Sequence, residues 1–322
     1  MRVLVTGGSS LLGLALGESL IARGDEVVSL QRRPAAASWE QVLGDIRDAD
    51  LVKVATSRVD AVVHLAARVS VTGPWSEFES INVGGTQNVL DAAATSGVSR
   101  VVHVSSPSVA HFGEPLVAAG AEPPDPDRVH GHYARSKAMA ELIAREAASG
   151  EMSVVAIRPH LVWGPGDEQL VGRIVERAES GRLVLIDGGT ALIDTTYIDN
   201  AVDALVAALD NTDDVNGEAF VVSNGEPRTV AELLARICRA AGVQEPYRSV
   251  PRALASGAGA VVERAWAASQ RHGEPPMTRF LAEQLSTAHW FDQTRTQERL
   301  SWVPRVPLAE GFRRLAASYA RA

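Results

Sequence analysis

The feature that most constrains the fold is an alternation, in the first half of the chain, between short β-branched runs and longer segments of helical length. This alternation is typical of βαβ units, whose crossovers make neighbouring strands parallel. A parallel sheet must be covered on both faces, so we predict an α/β fold with a Rossmann-type doubly wound sheet. The strand-like runs are residues 3–5, 26–30, 61–65, 100–104 and 153–157, and the helical segments are residues 11–22, 79–96 and 133–148.

The pattern changes after Arg158, where loops become longer and helical segments dominate towards the C-terminus. We therefore predict a smaller, mostly helical C-terminal lobe that binds the substrate. Residues 1–160, with about 195–223, are expected to form the dinucleotide-binding domain. Residues from about 161 to 194 and from 224 to 322 are expected to form the substrate-binding lobe.

Composition excludes several classes of protein. A net charge of −8 argues against a general nucleic-acid binder, because phosphate neutralisation needs a clustered basic surface. The single cysteine, Cys238, excludes intrachain disulfides and suits a reducing, cytoplasmic location. No signal peptide and no transmembrane segment are expected, since no run approaches ~20 apolar residues. His111 and His160 have no partners at ligand spacing, so we expect no metal site.

Residues 6–13 read TGGSSLLG, between the first strand-like run and the first helical segment. A dinucleotide-binding turn places glycine at positions 7, 10 and 13. Gly7 and Gly13 are present, whereas Ser10 occupies the middle position. Its hydroxyl is suited to cap the helix and to donate to a phosphate oxygen. On these residues alone, a serine-capped turn without a ligand remains an equal alternative.

The residues after the second strand bear on the choice of cofactor. An acidic residue there binds the adenosine ribose of NAD, whereas an arginine accommodates the 2′-phosphate of NADP. The sequence has Gln31 at that place, followed by Arg32 and Arg33. We therefore expect NADP(H) to be preferred, with NAD(H) as the other possibility. The alternative is a solvated basic loop.

Tyr133 and Lys137 lie four residues apart at the start of a helical segment, so that they share one helix face. A neighbouring ammonium lowers the pKa of a tyrosine and makes it a usable acid/base. Ser105 and Ser106 stand upstream at the end of an apolar strand, where parallel sheets bind ligands. A serine there is able to hydrogen-bond the substrate oxygen. Taken alone, this spacing is frequent by chance and more often marks an exposed Tyr/Lys pair than a catalytic one.

Together these motifs resemble the extended short-chain dehydrogenase/reductases over nearly the whole chain. TGGSSLLG resembles the TGxxGxxG turn, and the Tyr133–Lys137 pair matches Y-x-x-x-K. The other matches are Asp45-Ile46, HLAA at 64–67, NVGGT at 82–86, Ser106, RPHLVWGPGD at 158–167 and YIDNAVDAL from 197. The resemblance implies that the turn at residues 6–13 binds the phosphate groups of a cofactor and is not a serine-capped turn without a ligand.

The resemblance implies a role for each matched residue. Tyr133 would be the acid/base, Ser106 would orient the carbonyl, and Lys137 would lower the pKa of Tyr133 and hold the nicotinamide ribose. The implied cofactor-binding residues are Gly7, Ser9, Ser10, Leu11, Leu12, Gly13, Arg32, Arg33, Asp45, Ile46, Leu65, Ala66, Ala67, Asn82, Ser105, Tyr133, Lys137, Pro159, His160 and Val162.

Two features discriminate between branches of the family. Nucleotide-sugar epimerases and dehydratases often carry an arginine that grips the substrate pyrophosphate, and Ile193 occupies that position here. The dehydratases also place an Asp/Glu pair after the active-site Ser/Thr, whereas Pro107 and Ser108 follow here. The chain more closely resembles the 3β-hydroxysteroid dehydrogenase-like branch, and within it bacterial 2-alkyl-3-ketoalkanoate reductases. This implies interconversion of a 3-keto and a 3-hydroxy group on a hydrophobic small molecule.

Aromatic and methionine residues are candidates for the wall of an apolar substrate pocket, although such residues more often belong to the core. They are Trp75, Phe78, Trp163, Met277 and Phe280. Two other functions stay open: a nucleotide-sugar epimerase or dehydratase, and a non-catalytic protein that senses the dinucleotide or serves as a scaffold. The resemblance also implies a homodimer through the helices that begin near residues 79 and 133, and it allows assembly with pathway enzymes.

Overall fold

The computed structural model describes residues 1–70, 72–269 and 279–321. At its centre is a seven-stranded sheet of order β3-β2-β1-β4-β5-β7-β12, in which every pair is parallel. Its strands are β1 (Arg2–Thr6), β2 (Glu26–Gln31), β3 (Glu40–Leu43), β4 (Ala61–His64), β5 (Arg100–Val104), β7 (Ser153–Pro159) and β12 (Ala219–Val222). The predicted doubly wound α/β fold is confirmed.

The remaining strands form three small sheets. They are β6 (Leu116–Ala119), β8 (Val162–Trp163), β9 (Leu185–Ile186), β10 (Leu192–Ile193), β11 (Thr196–Tyr197), β13 (Arg228–Thr229), β14 (Ser249–Val250) and β15 (His289–Phe291). The largest has the order β13-β10-β15-β6. One of its strands, β6, lies within residues 1–160, so this sheet contains a segment from the predicted dinucleotide-binding half.

The helices of the described residues are α1 (Leu11–Ala22), α2 (Ala49–Thr56), α3 (Trp75–Phe78), α4 (Gly85–Thr95), α5 (His132–Glu146), α6 (Val171–Glu179), α7 (Ile198–Asp210), α8 (Val230–Ala241), α9 (Arg252–Ser269), α10 (Arg279–Ser286), α11 (Thr294–Leu300) and α12 (Leu308–Tyr319). The expected helical segment at residues 79–96 differs in one respect. Its first part, Glu79–Gly84, is a π-helical turn, and α4 follows it. No described helix is long and apolar enough to cross a membrane.

Alternate residues of the central strands pack on opposite faces of the sheet. Val3 and Val5 of β1 belong to a core shared with α1 and α7, whereas Leu4 belongs to a core shared with α2, α4 and α5. Each fully buried aliphatic side chain contributes about 1.5–3 kcal/mol. The near-continuous apolar strands are therefore required by a sheet that is covered on both sides. A third core, which includes Trp163 and Phe312, joins α6, α8 and α12 in the lobe.

The turn between β1 and α1 brings strand and helix together at the centre of the sheet. Gly7 has a φ of +74°, a conformation that favours glycine. A Cβ on Gly13 would lie 2.5 Å from the carbonyl oxygen of Gly7. Ser10 caps α1 by accepting a hydrogen bond from the Gly13 amide at 3.0 Å.

We expect Gly13→Ala to destabilise the protein by about 1–3 kcal/mol, because the added methyl meets backbone rather than a flexible side chain. Urea unfolding measures this change. Gly150→Ala is the matched control, since a Cβ there meets nothing within 4 Å. Equal unfolding midpoints for the two variants would contradict the close approach of β1 and α1.

Candidate active site

The strand order reverses between β1 and β4, and ligands of open α/β sheets bind beyond the carboxyl ends of the strands at this point. The floor of the crevice is formed by Gly7 and by Ala66, which follows β4. A Cβ on Gly7 would lie 3.0 Å from the Ala66 nitrogen, so the two loops are in contact. The predicted turn and the predicted HLAA loop therefore lie side by side.

The hydroxyl of Ser10 holds the turn together. It donates to the Gly7 carbonyl at 2.8 Å and accepts from the Gly13 amide at 3.0 Å. The expected helix cap is therefore present. The expected donation to a phosphate oxygen is not supported, because the single proton of the hydroxyl is used inside the turn.

A buried histidine fixes the loop after β4. The Thr86 hydroxyl donates to the Asn82 carbonyl at 2.6 Å, so it accepts from Nε2–H of His64 at 3.0 Å. Burial lowers the pKa of His64 to about 3, and its Nδ1 accepts from Thr6 at 2.7 Å. The Thr6 hydroxyl in turn accepts from the Ala66 amide at 3.1 Å. This chain of bonds sets the position of the loop.

Asn82 joins the loop after β4 to α5. Its amide oxygen accepts from the Arg68 amide at 2.7 Å, and its nitrogen donates to the Arg68 carbonyl and to Ser136. The side chain is buried, and these bonds use both ends of its amide. Asn82 therefore holds this loop against α5. The π-helical turn that carries it is of a kind frequent at functional sites.

Ser106 and Tyr133 lie together at the edge of the sheet. Ser106 caps the short 3₁₀ turn Pro107–Ala110, and its hydroxyl is 2.9 Å from that of Ser108. Tyr133 lies in the first turn of α5, is half-buried and hydrogen-bonds Ser106. Burial raises the pKa of Tyr133, and the bond with Ser106 opposes this rise. The expectation of a lowered pKa is therefore wrong for the protein as it stands.

The reason lies in the position of Lys137. Its Nζ donates to the Val104 carbonyl at the end of β5, at 2.6 Å. Burial lowers the pKa of Lys137 to about 8, and the charge of Glu141 opposes this shift. The ammonium is thus bound to backbone at the end of β5, and the charge that favours it comes from Glu141, one turn further along α5.

A buried ion pair supports this edge of the sheet. Glu141 accepts from Arg158 Nε at 2.8 Å and from Nη2 at 2.6 Å, and both side chains are at most 1% exposed. Glu141 also accepts from the Ser105 hydroxyl at 2.6 Å, and Arg158 donates to the Glu122 carbonyl at 2.8 Å. Ser105 therefore faces Glu141 rather than the crevice.

Sequence reasoning missed Glu141 and Arg158 as parts of the site. Two signals were available to it. Glu141 follows Lys137 at a spacing of four and so shares its helix face, and Arg158 ends an otherwise apolar strand. His103 was also missed; it is fully buried in β5, and both of its ring nitrogens lack a partner within the described part of the chain.

The residues predicted to bind the adenine end of the cofactor follow β2 and β3. Arg32 and Arg33 are exposed, and the charge of Arg32 helps Arg47 to lower the pKa of Asp45. Asp45 is paired with Arg47 at 2.8 Å. Ile46 is buried against α4, where a Cβ on Gly85 would meet it at 2.4 Å.

The other predicted cofactor residues frame the crevice. Ser9 is exposed, whereas Leu11, Leu12, Leu65 and Ala67 are partly buried. Pro159 ends β7, His160 is buried after it, and Val162 begins β8.

One orphaned atom indicates that the crevice fits a dinucleotide. The side-chain oxygen of Gln31 is buried at the end of β2 without a donor among the described residues. It lies 3.0 Å from the position of a Cβ on Gly8, next to the glycine turn. A ribose hydroxyl would supply the missing donor. The closed glycine turn and this acceptor suit the cofactor that the sequence predicts.

The candidate pocket-wall aromatics are mostly core residues. Trp163 stacks on Phe312 at 4.5 Å between ring centroids, and Phe78 is fully buried. Trp75 contacts the ring of His132. Met277 lies outside the described residues, and only the backbone of Phe280 is described, in α10. No group of metal-ligating side chains occurs among the described residues.

A doubly wound sheet with a glycine turn and a Ser–Tyr pair beside a lysine is the arrangement of a dinucleotide-dependent enzyme. Residues 3–223 match the NAD dependent epimerase/dehydratase family, and the chain belongs to this family.

The chain is 40% identical to 2-alkyl-3-oxoalkanoate reductase of Stenotrophomonas maltophilia, over 99% of this chain and 100% of that protein. It is 32% identical to 3 beta-hydroxysteroid dehydrogenase/Delta 5-->4-isomerase of Mycobacterium tuberculosis, over 76% of this chain and 70% of that protein. The solved structure of Thermus thermophilus UDP-glucose 4-epimerase complex with NAD superposes with a TM-score of 0.76 at 25% identity, covering 100% of both chains. The predicted family, fold and oxidoreductase class are confirmed.

We expect Glu141→Gln and Arg158→Met each to lower the free energy of unfolding by about 3–5 kcal/mol, because each leaves an uncompensated buried charge. In the double variant the two losses should not add, since neither charge then lacks its partner. A double-mutant cycle by urea unfolding measures the coupling. Additive losses would contradict the direct pairing of these side chains.

Proposed function

We propose that this protein is an NADP(H)-dependent oxidoreductase that interconverts the 3-keto and 3-hydroxy groups of a 2-alkyl-3-oxo acid. The observation that carries the proposal is the hydrogen-bonded pair of Ser106 and Tyr133 beside Lys137, at the crevice where this fold binds ligands. The full-length similarity to a 2-alkyl-3-oxoalkanoate reductase supports the choice of substrate.

Tyr133 is suited to act as a general acid because its hydroxyl is protonated and hydrogen-bonds Ser106. A tyrosine whose pKa is raised stays protonated at neutral pH and is able to donate its proton to the carbonyl oxygen. Ser106 supplies a second hydrogen bond to that oxygen. When bound, the nicotinamide cofactor supplies the hydride that adds to the carbonyl carbon. The ketone thereby gains one hydride and one proton and becomes the alcohol, and solvent restores the proton of Tyr133.

Residues of four loops would hold the cofactor. The glycine turn from Gly7 to Gly13 would receive the pyrophosphate at the N-terminus of α1. Ala66 would lie beside it, Lys137 would bind the nicotinamide ribose, and Pro159 would line the nicotinamide. Arg32 and Arg33 would bind the 2′-phosphate of NADP, because guanidinium groups match phosphate geometry.

Two alternatives concern the substrate. The Mycobacterium tuberculosis relative supports a steroid-like ketone as a second candidate. A nucleotide sugar is disfavoured, because Ile193 is buried and offers no cation to a pyrophosphate. A non-catalytic sensor has no need of the Ser106–Tyr133 pair. The division into a dinucleotide-binding domain (1–160, about 195–223) and a substrate lobe, a homodimer through α4 and α5, assembly with pathway enzymes and a cytoplasmic location belong to the same proposal.

We expect Tyr133→Phe to lower turnover of a synthetic 2-alkyl-3-oxo acid by about 100-fold to 10,000-fold, since the general acid is removed. NADPH binding, followed by fluorescence titration, should change less than about twofold. His130→Gln is the control, because this exposed side chain lies three residues away. Full activity in Tyr133→Phe would refute the proposed chemistry, and absence of turnover in the unaltered protein would refute the proposed substrate.

The cofactor preference is tested with Arg32→Ser/Arg33→Ser. Loss of the charge-assisted bonds to the 2′-phosphate should raise the KM for NADPH at least about tenfold and leave that for NADH within about twofold. Steady-state assays with both cofactors measure this difference. Arg182→Ser removes another exposed arginine, in the lobe, and should change neither KM. Equal effects on both cofactors would argue against a phosphate site at these arginines.

A further inference from the structure

Three histidines come together between the end of the central sheet and the small sheet of the lobe. His111 follows the 3₁₀ turn that begins at Ser106, His160 follows β7, and His289 begins β15. The ring centroids of His111 and His289 are 6.4 Å apart, and those of His160 and His289 are 4.9 Å apart. Phe291 covers His160 at 5.0 Å. This histidine cluster thus adjoins the turn that carries the proposed catalytic serine.

His111 is fully satisfied within the protein. Its Nε2 donates to the Glu114 carbonyl at 3.1 Å, and its Nδ1 accepts from the Gln284 amide at 3.0 Å. It is therefore a neutral ring with a fixed tautomer. Its role is to hold the cluster in place rather than to bind a ligand.

His160 and His289 are not satisfied. His160 is 7% exposed and donates one ring N–H to the Asp194 carbonyl, so its buried Nδ1 is an acceptor with no partner in residues 1–70, 72–269 and 279–321. His289 is 3% exposed, and neither of its ring nitrogens has a partner among the described residues. Together the two rings offer one N–H donor and two acceptor nitrogens without hydrogen-bond partners. Burying such groups costs folding free energy unless a further group hydrogen-bonds them.

The groups that the structure describes around the cluster do not supply the missing hydrogen bonds. The Asp194 carboxylate accepts from the Ser223 hydroxyl at 2.6 Å and from the Thr195 amide at 3.0 Å, so its bonds are made elsewhere. Glu283 and His130 act on the pKa of His111, and they are paired with one another at 3.9 Å. Burial lowers the pKa of His289 to about 4, so the ring is neutral at pH 7.

We propose that His160 and His289 form the subsite for the carboxylate of the substrate, with one proton taken from solvent as the acid binds. The N–H of His289 donates to one carboxylate oxygen. A bare ring nitrogen of the pair takes up the proton and donates it as a second hydrogen bond, so that an imidazolium–carboxylate pair forms. This inference rests on the proposed function, because it assigns one end of the same substrate.

The test measures proton uptake directly. Isothermal titration calorimetry of the NADPH-bound enzyme with a synthetic 2-alkyl-3-hydroxy acid, in buffers of different ionisation enthalpy, should give uptake of about one proton at pH 7.5. The methyl ester of that acid should give none. Binding of the acid should weaken up to about tenfold per pH unit between pH 7 and 9, because each bound molecule requires a proton.

Variants separate this subsite from the catalytic residues. His289→Gln should raise the KM for the 3-oxo acid at least about tenfold and abolish the proton uptake, while kcat/KM for the methyl ester stays within about threefold. His160→Gln is a second variant that guards against misfolding of the first, and it should also abolish the proton uptake. His130→Gln is the exposed control and should match the unaltered protein.

The outcomes distinguish the two proposals. Reduction of the 3-oxo acid without proton uptake, or with equal effects of His289→Gln on acid and ester, would refute the carboxylate subsite and leave the reductase standing. Failure of the unaltered enzyme to reduce any 3-oxo acid or ester would refute the proposed function instead. Proton uptake that is confined to the acid and lost in both histidine variants would establish the subsite.

Discussion

The buried pair of Glu141 and Arg158 is the interaction on which the rest of the candidate site depends. It joins α5 to β7 across the end of β5, and every one of its polar side-chain atoms makes a hydrogen bond. Neither charge is tolerable alone in this position, so helix and strand are locked in one relative placement. Lys137 lies one turn before Glu141 on α5, and its bond to Val104 depends on that placement. The ion pair therefore sets the position of the proposed catalytic lysine through the helix that carries both.

The edge of the sheet combines this ion pair with rings that stay neutral. His64 and His103 lie side by side in β4 and β5, with ring centroids 5.5 Å apart, and burial lowers the pKa of both. The charge of Lys137 also lowers the pKa values of His64 and His103, so the two rings stay neutral while the ammonium is charged. Hydride transfer to a ketone needs positioned dipoles in a dry site more than it needs free charge. The neutral histidines provide such dipoles. His64 also fixes the position of the Ala66 loop, through its hydrogen bond with Thr6.

The sequence supports some levels of this description and not others. Alternation of apolar runs predicts the parallel sheet, because the burial of both faces determines composition directly. It does not reveal β3 or α2, whose residues are half exposed and so carry a weaker pattern. The glycine turn is visible because few residues tolerate the backbone of Gly7. The hydrogen bonds of Ser10 and Asn82 are not visible in the sequence, because a side chain that binds a cofactor and one that fixes a loop occur in the same sequence pattern. The raised pKa of Tyr133 likewise depends on burial and on where the Lys137 ammonium ends, which only the packed structure defines.

The lobe supports our proposal that the substrate is a hydrophobic acid and not a nucleotide sugar. Ile193 occupies the position at which sugar-nucleotide relatives often carry an arginine, and β10 places it in register with His289 of β15. A guanidinium at this register would face a buried ring with unmet bonds and would favour a pyrophosphate. Isoleucine instead places an apolar side chain next to imidazole groups, which are neutral until a carboxylate binds. Such a side chain excludes a permanently charged diphosphate, because nothing there offsets the loss of its hydration. A single carboxylate that draws its own proton from solvent carries a much smaller cost, and the alkyl chains beside it gain from burial.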